Sequence, residues 1–228
     1  MLTLALESSS KPASVAVVSD GELLGQYYQN SGLTHSRTLL AMTESLLKNL
    51  ELNITDIGLI AVAAGPGSFT SVRIGVSAAK GLAWGLEIPV CGVSTLEAMA
   101  YQTPKPGCLL CPVMDARRSQ IYNALFEWKD GKPFRVCDDR AISLQNLTAE
   151  LSAHATPCLL IGDGAKITYE HLTANAVNCR MAQGMQRWQT AYGVALAAPT
   201  AKQTHAADLE PTYLRPSQAE RNLRESEV

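Results

Sequence analysis

Apolar and polar positions change rhythm several times along the first hundred residues. Leu2 to Leu6 is a short apolar run that stops at Glu7-Ser8-Ser9-Ser10, and Ala13 to Val18 is a second run after Lys11-Pro12. Asp20-Gly21 is a tight-turn signal, and Glu22 to Gln29 alternates as a half-buried strand does. The period then becomes helical. From Thr34 to Leu50, Leu39, Met42, Leu46 and Leu50 recur on one stripe with Leu40 and Leu47 beside it. That arc is wider than a helix on a single sheet requires, and the surplus hints at a protein interface.

Gly58 to Ala64 has strand length and breaks at Gly65-Pro66-Gly67-Ser68, after which a small-residue helix is predicted from about Thr70 to Leu86. Ser68 or Thr70 is expected to cap this helix with a side-chain oxygen. Ser71, Gly75 and Ala79 leave one face bare for close approach, while Arg73, Ser77, Lys80 and Trp84 decorate another. Two neighbours are expected for such a helix. Its glycine turn could attract an anion at the helix N-terminus, but it is neither GxxxxGK[ST] nor GxGxxG, because Thr70 stands where the third glycine would be. A tight strand-to-helix connection explains the same residues. Ile88 to Val93 is a fifth strand, and a helix runs from Ser94 or Thr95 to Tyr101.

After the linker Gln102 to Gly107 the order restarts. Cys108 to Met114 is a strand that ends in the polar turn Asp115 to Ser119, Gln120 to Trp128 is its hairpin partner, and Asp130-Gly131 repeats the tight turn. Pro133 to Cys137 is a short third strand, Ser143 to Ala153 a helix, and Cys158 to Ile161 a strand running into Gly162-Asp163-Gly164. Gln183 to Ala198 is predicted as one long last helix, followed by a polar tail with Pro211 and Pro216. Three strands, helix, strand, helix, strand, helix is close to one lobe of the actin, hexokinase and sugar-kinase superfamily. The expectation is a two-lobed α/β fold, with lobes at 1–103 and 104–228 and the last helix and tail packing back on the first lobe.

Composition narrows the function. Apolar residues make up 46% and charged residues 18% of 228, so the chain is globular, and a net charge of −2 with pI near 6.1 gives no basic field for nucleic acid. The N-terminal apolar run has no basic flank and no stretch has membrane-spanning length, which points to a cytoplasmic protein with its six cysteines as thiols. The four histidines are scattered, and Cys108 and Cys111 lack a second pair to complete a zinc site, so no metal is expected. Glu7, Ser8 and Ser9 sit at a turn that holds phosphate and metal in sugar-kinase-like folds, although a serine-rich hairpin reads the same way. Arg117 and Arg118 could hold phosphate or face solvent.

Taken together, LALESSS, AAGPGSFTSVRIGVSAAKGLA, GVSTLEAMA, MDARRSQIYNALF, IGDGA and EPTYLR resemble the TsaB (YeaZ) family from residue 2 to about residue 216. That resemblance implies an actin-like two-lobed fold. It implies a non-catalytic role beside the paralogue TsaD, which moves a threonylcarbamoyl group onto N6 of the adenosine next to the anticodon in ANN-decoding tRNAs. The ATPase TsaE is then a further partner, and tRNA is met only through the complex. The paralogue's metal-binding helix reads GVNHLEGH; here Thr95 and Met99 replace both histidines, and neither side chain substitutes for imidazole. Its SGGHT turn is Asp115-Ala-Arg-Arg-Ser119 here, so nucleotide is not expected to bind in the usual way. Glu7, Ser8 and Ser9 keep an ETS-like triplet as a vestigial anion site, and ATP or ADP at an interface shared with partners is left open.

The family further implies contact through the first two helices of the N-terminal lobe, for the TsaD heterodimer and for a homodimer. Carried over, the contact residues are Leu39, Met42, Thr43 and Leu46 on the first helix and Arg73, Val76, Ser77, Lys80 and Trp84 on the second. Leu46→Glu or Val76→Glu is accordingly expected to abolish the contact and leave the monomer folded. A nucleotide-hydrolysing or peptidase-like enzyme and a direct RNA-binding module are the alternatives.

Overall fold

Alternation builds the first sheet. β1 (Leu2–Glu7), β2 (Ala13–Ser19) and β3 (Glu22–Gln29) form an antiparallel meander turning at Asp20-Gly21. α1 (His35–Asn49) follows, then β4 (Leu59–Gly65) parallel to β1, α2 (Phe69–Leu86), β5 (Val90–Ser94) parallel to β4, and α3 (Thr95–Tyr101). Leu4, Leu6, Val15, Val17, Ile60 and Val62 point to one face and bury against α1 and α2; Ala5, Ala16, Ala61 and Ala63 point to the other. The small residues on that second face let a helix lie close.

These coordinates are a computed structural model that describes residues 1–105 and 107–215; Pro106 of the predicted linker, and Pro216 with the rest of the tail, lie outside the described residues. The second lobe repeats the first. β6 (Leu109–Arg117), β7 (Gln120–Lys129) and β8 (Lys132–Ser143) form an antiparallel meander, α4 (Leu144–Ser152) leads to β9 (Cys158–Ile161) parallel to β6, and α5 (Ala165–Ala174) to β10 (Cys179–Met181) parallel to β9. α6 (Ala191–Ala197) then packs on the alanine face of the first sheet, and β11 (Gln203–Thr204) extends that sheet's β5 edge. The strand orders, β11-β5-β4-β1-β2-β3 and β10-β9-β6-β7-β8, share one topology. Met99 and Leu96 of α3 are fully buried against Leu110, Met114 and Phe126, so α3 is wedged between the sheets.

Several predicted elements differ. The long helix at Gln183 to Ala198 is absent: a 3-10 turn at Gly184–Arg187 gives way to extended chain, and only Ala191–Ala197 is α-helical. The carbonyls of Arg187 and Trp188 accept from Gly162 N–H and Gln102 Nε2, which holds that segment out of the helix, and Thr190 caps α6 through Gly193 N–H. α5 has only Ala165, Thr168 and Leu172 buried, too thin a stripe to show in the pattern. β8 runs past the predicted end at Cys137 to Ser143, and beyond that end Asp139 and Arg140 pair with Arg135 and Glu150. β6 continues through the predicted polar turn, and reversal is confined to Arg117, Arg118 and Ser119, all at positive φ. Neither Ser68 nor Thr70 caps α2 with a side chain.

Candidate functional site

The β1–β2 turn is buried. Glu7, Ser8 and Ser9 are inaccessible to solvent. Ser9 N–H donates to Glu7 Oε1 at 2.6 Å, and Ser8 Oγ donates to the Ser71 carbonyl at 2.9 Å, where the bare face of α2 allows the approach; a Cβ at Gly75 would collide with that hydroxyl. Among the described residues Glu7 Oε2 and Ser9 Oγ have no hydrogen-bond partner. Burial pushes the Glu7 carboxyl up to about 7, partly offset by Ser9 and reinforced by the Asp163 charge. Next to it, Ser10 Oγ donates to Asp163 Oδ2 at 2.6 Å, and Gln189 Nε2 donates to Asp163 Oδ1 at 3.4 Å. Burial raises Asp163 as well. His35 Nε2 lies 2.7 Å from the Ser10 carbonyl.

These groups lie at a cleft of about 880 Å³ between the lobes, lined among others by Ser9, Ser10, His35, Gly67, Asp115, Arg117 and Asp163. Its two turns are engaged by the chain itself. In the GPGS turn the Ser68 N–H is taken by the Ser9 carbonyl at 2.7 Å, a Cβ at Gly67 would strike that same oxygen, and Gly65 lies under the Thr212 carbonyl. These glycines serve close packing of chain on chain. In the second lobe the Arg117 N–H is used by Asp115 Oδ1 at 2.7 Å, and Arg117 rather than glycine lines the cleft. Thr95 and Met99 are fully buried, Met99 as core and Thr95 Oγ1 without a partner among the described residues. Among the described residues no group of three or more His, Cys, Asp or Glu side chains could hold a metal, and no helix is long and apolar enough to cross a membrane.

The helix pair α1 and α2 covers the outer face of the first sheet. Leu39, Thr43, Leu46 and Val76 are core residues at 1–3% exposure, so they face the sheet and cannot also face a partner. The expectation that Leu46→Glu or Val76→Glu spares the fold is thereby corrected: each puts a carboxylate into the core. Met42 is half-buried. Arg73, Ser77 and Trp84 are exposed, Trp84 at 70%, together with Gly81, Gly85 and Leu40. Lys80 caps the Ala207 and Leu209 carbonyls at 3.0 and 2.9 Å, and Arg73 Nε donates to the Tyr213 hydroxyl at 2.8 Å. The C-terminal segment therefore packs along α2.

Residue patterns did not signal Arg135. It reaches from β8 to Glu97 Oε2 at 2.8 Å and Asp139 Oδ1 at 2.5 Å, while Ser94, the cap of α3, donates to Asp139 Oδ2. This group is a tie between the lobes through α3 and β8, in addition to the Ser10–Asp163 bond.

A tRNA threonylcarbamoyladenosine biosynthesis protein TsaB from Bacillus subtilis is 31% identical over 230 residues, with both chains covered in full. The chain belongs to the TsaB (YeaZ) family. The TsaB of Escherichia coli is 36% identical over 129 residues, 56% of this chain and 55% of the relative. A family model described as "TsaD: tRNA N6-adenosine threonylcarbamoyltransferase" matches residues 29–148. YeaZ from Pseudomonas aeruginosa superposes with a TM-score of 0.77 at 24% identity, covering 93% of this chain and 99% of its own, which places the TsaB chain in the same two-lobed fold.

Proposed function

We propose that this TsaB-family chain takes part in tRNA threonylcarbamoyladenosine biosynthesis as the non-catalytic scaffold of a TsaD-like transferase. The observation that carries the reading is the packing of α3. Where the paralogue's metal-binding helix has two histidines, Thr95 and Met99 are sealed between the sheets, and Met99 is part of the core. A group with no solvent contact and no imidazole has no route to a metal-bound substrate. The turns of the cleft, filled by Ser9, Thr212 and Asp115, support the same division of labour.

What remains for function is surface. The outer faces of α1 and α2, with Leu40, Ser77, Gly81 and Trp84 exposed, suit a helical partner: Gly81 and Gly85 have open space above them and Trp84 supplies a large apolar anchor. The TsaD-like paralogue is the first occupant of that face. A second copy of this chain uses it when the paralogue is absent, a TsaE-like ATPase joins the assembled pair, and tRNA is met through the complex in the cytoplasm. Any ATP or ADP sits where chains meet.

The test is threonylcarbamoyl transfer by the paralogue with and without this chain. Activity that depends on this chain, and survives Glu7→Gln and Ser8→Ala, supports a scaffold. Turnover by this chain alone that is lost in those variants supports the enzymatic reading instead.

A further inference from the structure

The segment after the last helix is held in two different ways. Ala206 and Leu209 are core residues of the first lobe, at 6% and 4% exposure, so the chain is anchored as far as Leu209. Beyond it the hold is by discrete contacts with little apolar burial. Thr212 N–H donates to the Ala64 carbonyl at 2.7 Å. The Tyr213 ring stacks on Phe69 with centroids 4.3 Å apart, and the Arg73 guanidinium covers Phe69 at 3.9 Å while bonding the Tyr213 hydroxyl. Arg215 Nη1 then crosses to the second lobe and donates to the Ala116 carbonyl at 2.8 Å. Thr212 and Tyr213 remain exposed, and residues 212–215 form one wall of the cleft.

Arg73 is the link between this wall and the outer face of α2. Its partners there are a phenol and two aromatic rings, and none of them is an anion. A carboxylate offers a guanidinium two parallel charge-assisted bonds, where the Tyr213 hydroxyl takes one. An acidic side chain arriving on α2 would therefore compete with Tyr213 for Arg73. Without Arg73 the tyrosine keeps only its stack on Phe69.

We propose that residues 210–215 form a strap over the cleft that competes for Arg73 with a partner helix bearing a carboxylate, so that docking on α2 lifts the strap from Ala64 and opens the cleft wall. This rests on the reading of α2 as the partner surface. Occupation of one face of the helix is then communicated to the cleft through six residues. The core anchor at Leu209 keeps the released strap local.

Hydrogen exchange of the Thr212 amide in the full chain tests this, alone and with saturating TsaD-like paralogue, with complex formation followed independently by sedimentation. The strap predicts a protected amide in the free chain and exchange at least tenfold faster in the complex. Tyr213→Ala should raise the exchange without partner and tighten binding several-fold, because no strap has to be displaced. A complex that forms while Thr212 stays protected, with Tyr213→Ala binding no tighter, overturns the strap and leaves the partner reading standing. If no complex forms, the partner reading fails and the coupling fails with it.

Discussion

Ser10 Oγ donates to Asp163 Oδ2 at 2.6 Å, joining the first turn of one lobe to the strand-to-helix turn of the other. The same hydroxyl lowers an Asp163 carboxyl that burial raises. Ser10→Ala leaves the carboxylate with Gln189 and costs about 1–3 kcal/mol, the usual penalty for a buried acceptor that loses its donor. Urea unfolding should show a lower midpoint with the slope unchanged, and Asp163 should titrate higher than in the parent.

Glu7 makes stability depend on pH in a definite direction. Its value in the folded chain, about 7, exceeds the ordinary carboxyl value of 4.5, so the folded state binds the extra proton between them. Stability is therefore lost as pH rises from about 4.5 through about 7. Glu7→Gln removes the titration and keeps the shape. The stability difference between variant and parent should move in the variant's favour by on the order of 3 kcal/mol between pH 4 and pH 8. Thermal or urea unfolding across that range checks it, and a pH-independent difference would mean that Glu7 does not titrate there.

Arg135 holds Glu97 and Asp139 with all three side chains mostly shielded, at 28%, 25% and 15% exposure. Arg135→Ala strands two carboxylates between α3 and β8. The cost is about 2 kcal/mol, discounted from the figure for fully buried pairs because water still reaches this one. Asp139→Asn in the Arg135→Ala background should recover part of the loss, which a double-mutant cycle measures.

The two sides of α1 should respond oppositely to charge. Leu46→Glu buries a carboxylate in the core and should unfold the first lobe, and even Leu46→Ala costs about 2–5 kcal/mol. Leu40→Glu, one helical position off that stripe and 51% exposed, should leave the unfolding midpoint within about 0.5 kcal/mol of the parent. Circular dichroism melts of the pair check both.

Legibility in the sequence followed periodicity. The first lobe was readable element by element because Leu2–Leu6, Ala13–Val18 and Gly58–Ala64 bury whole strands and Asp20-Gly21 turns as such pairs do. The second lobe was harder where side-chain pairing replaces hydrophobic pattern, as at Asp139 and Arg140 in β8, or where remote hydrogen bonds hold chain extended, as at Arg187 and Trp188. Glu7, Ser8 and Ser9 stand out as a triplet, but their burial under α2 depends on Gly75 in a helix distant in sequence. On α1 and α2 the pattern gave two faces without saying which one packs inward. Leu39, Leu46 and Val76 look outward-facing only while the sheet beneath them is unknown.

The central claim is that the exposed face of α2 binds the transferase paralogue. Sedimentation velocity of this chain, of the TsaD-like paralogue from the same source, and of their mixture tests it, using the parent and a Trp84→Glu variant. Trp84 is 70% exposed and outside the core, so the variant should stay folded. The account predicts a heavier species in the parent mixture and its loss, or at least tenfold weaker association, with Trp84→Glu. A mixture that sediments as two separate components would contradict the scaffold role, and full association by the variant would place the interface on another surface.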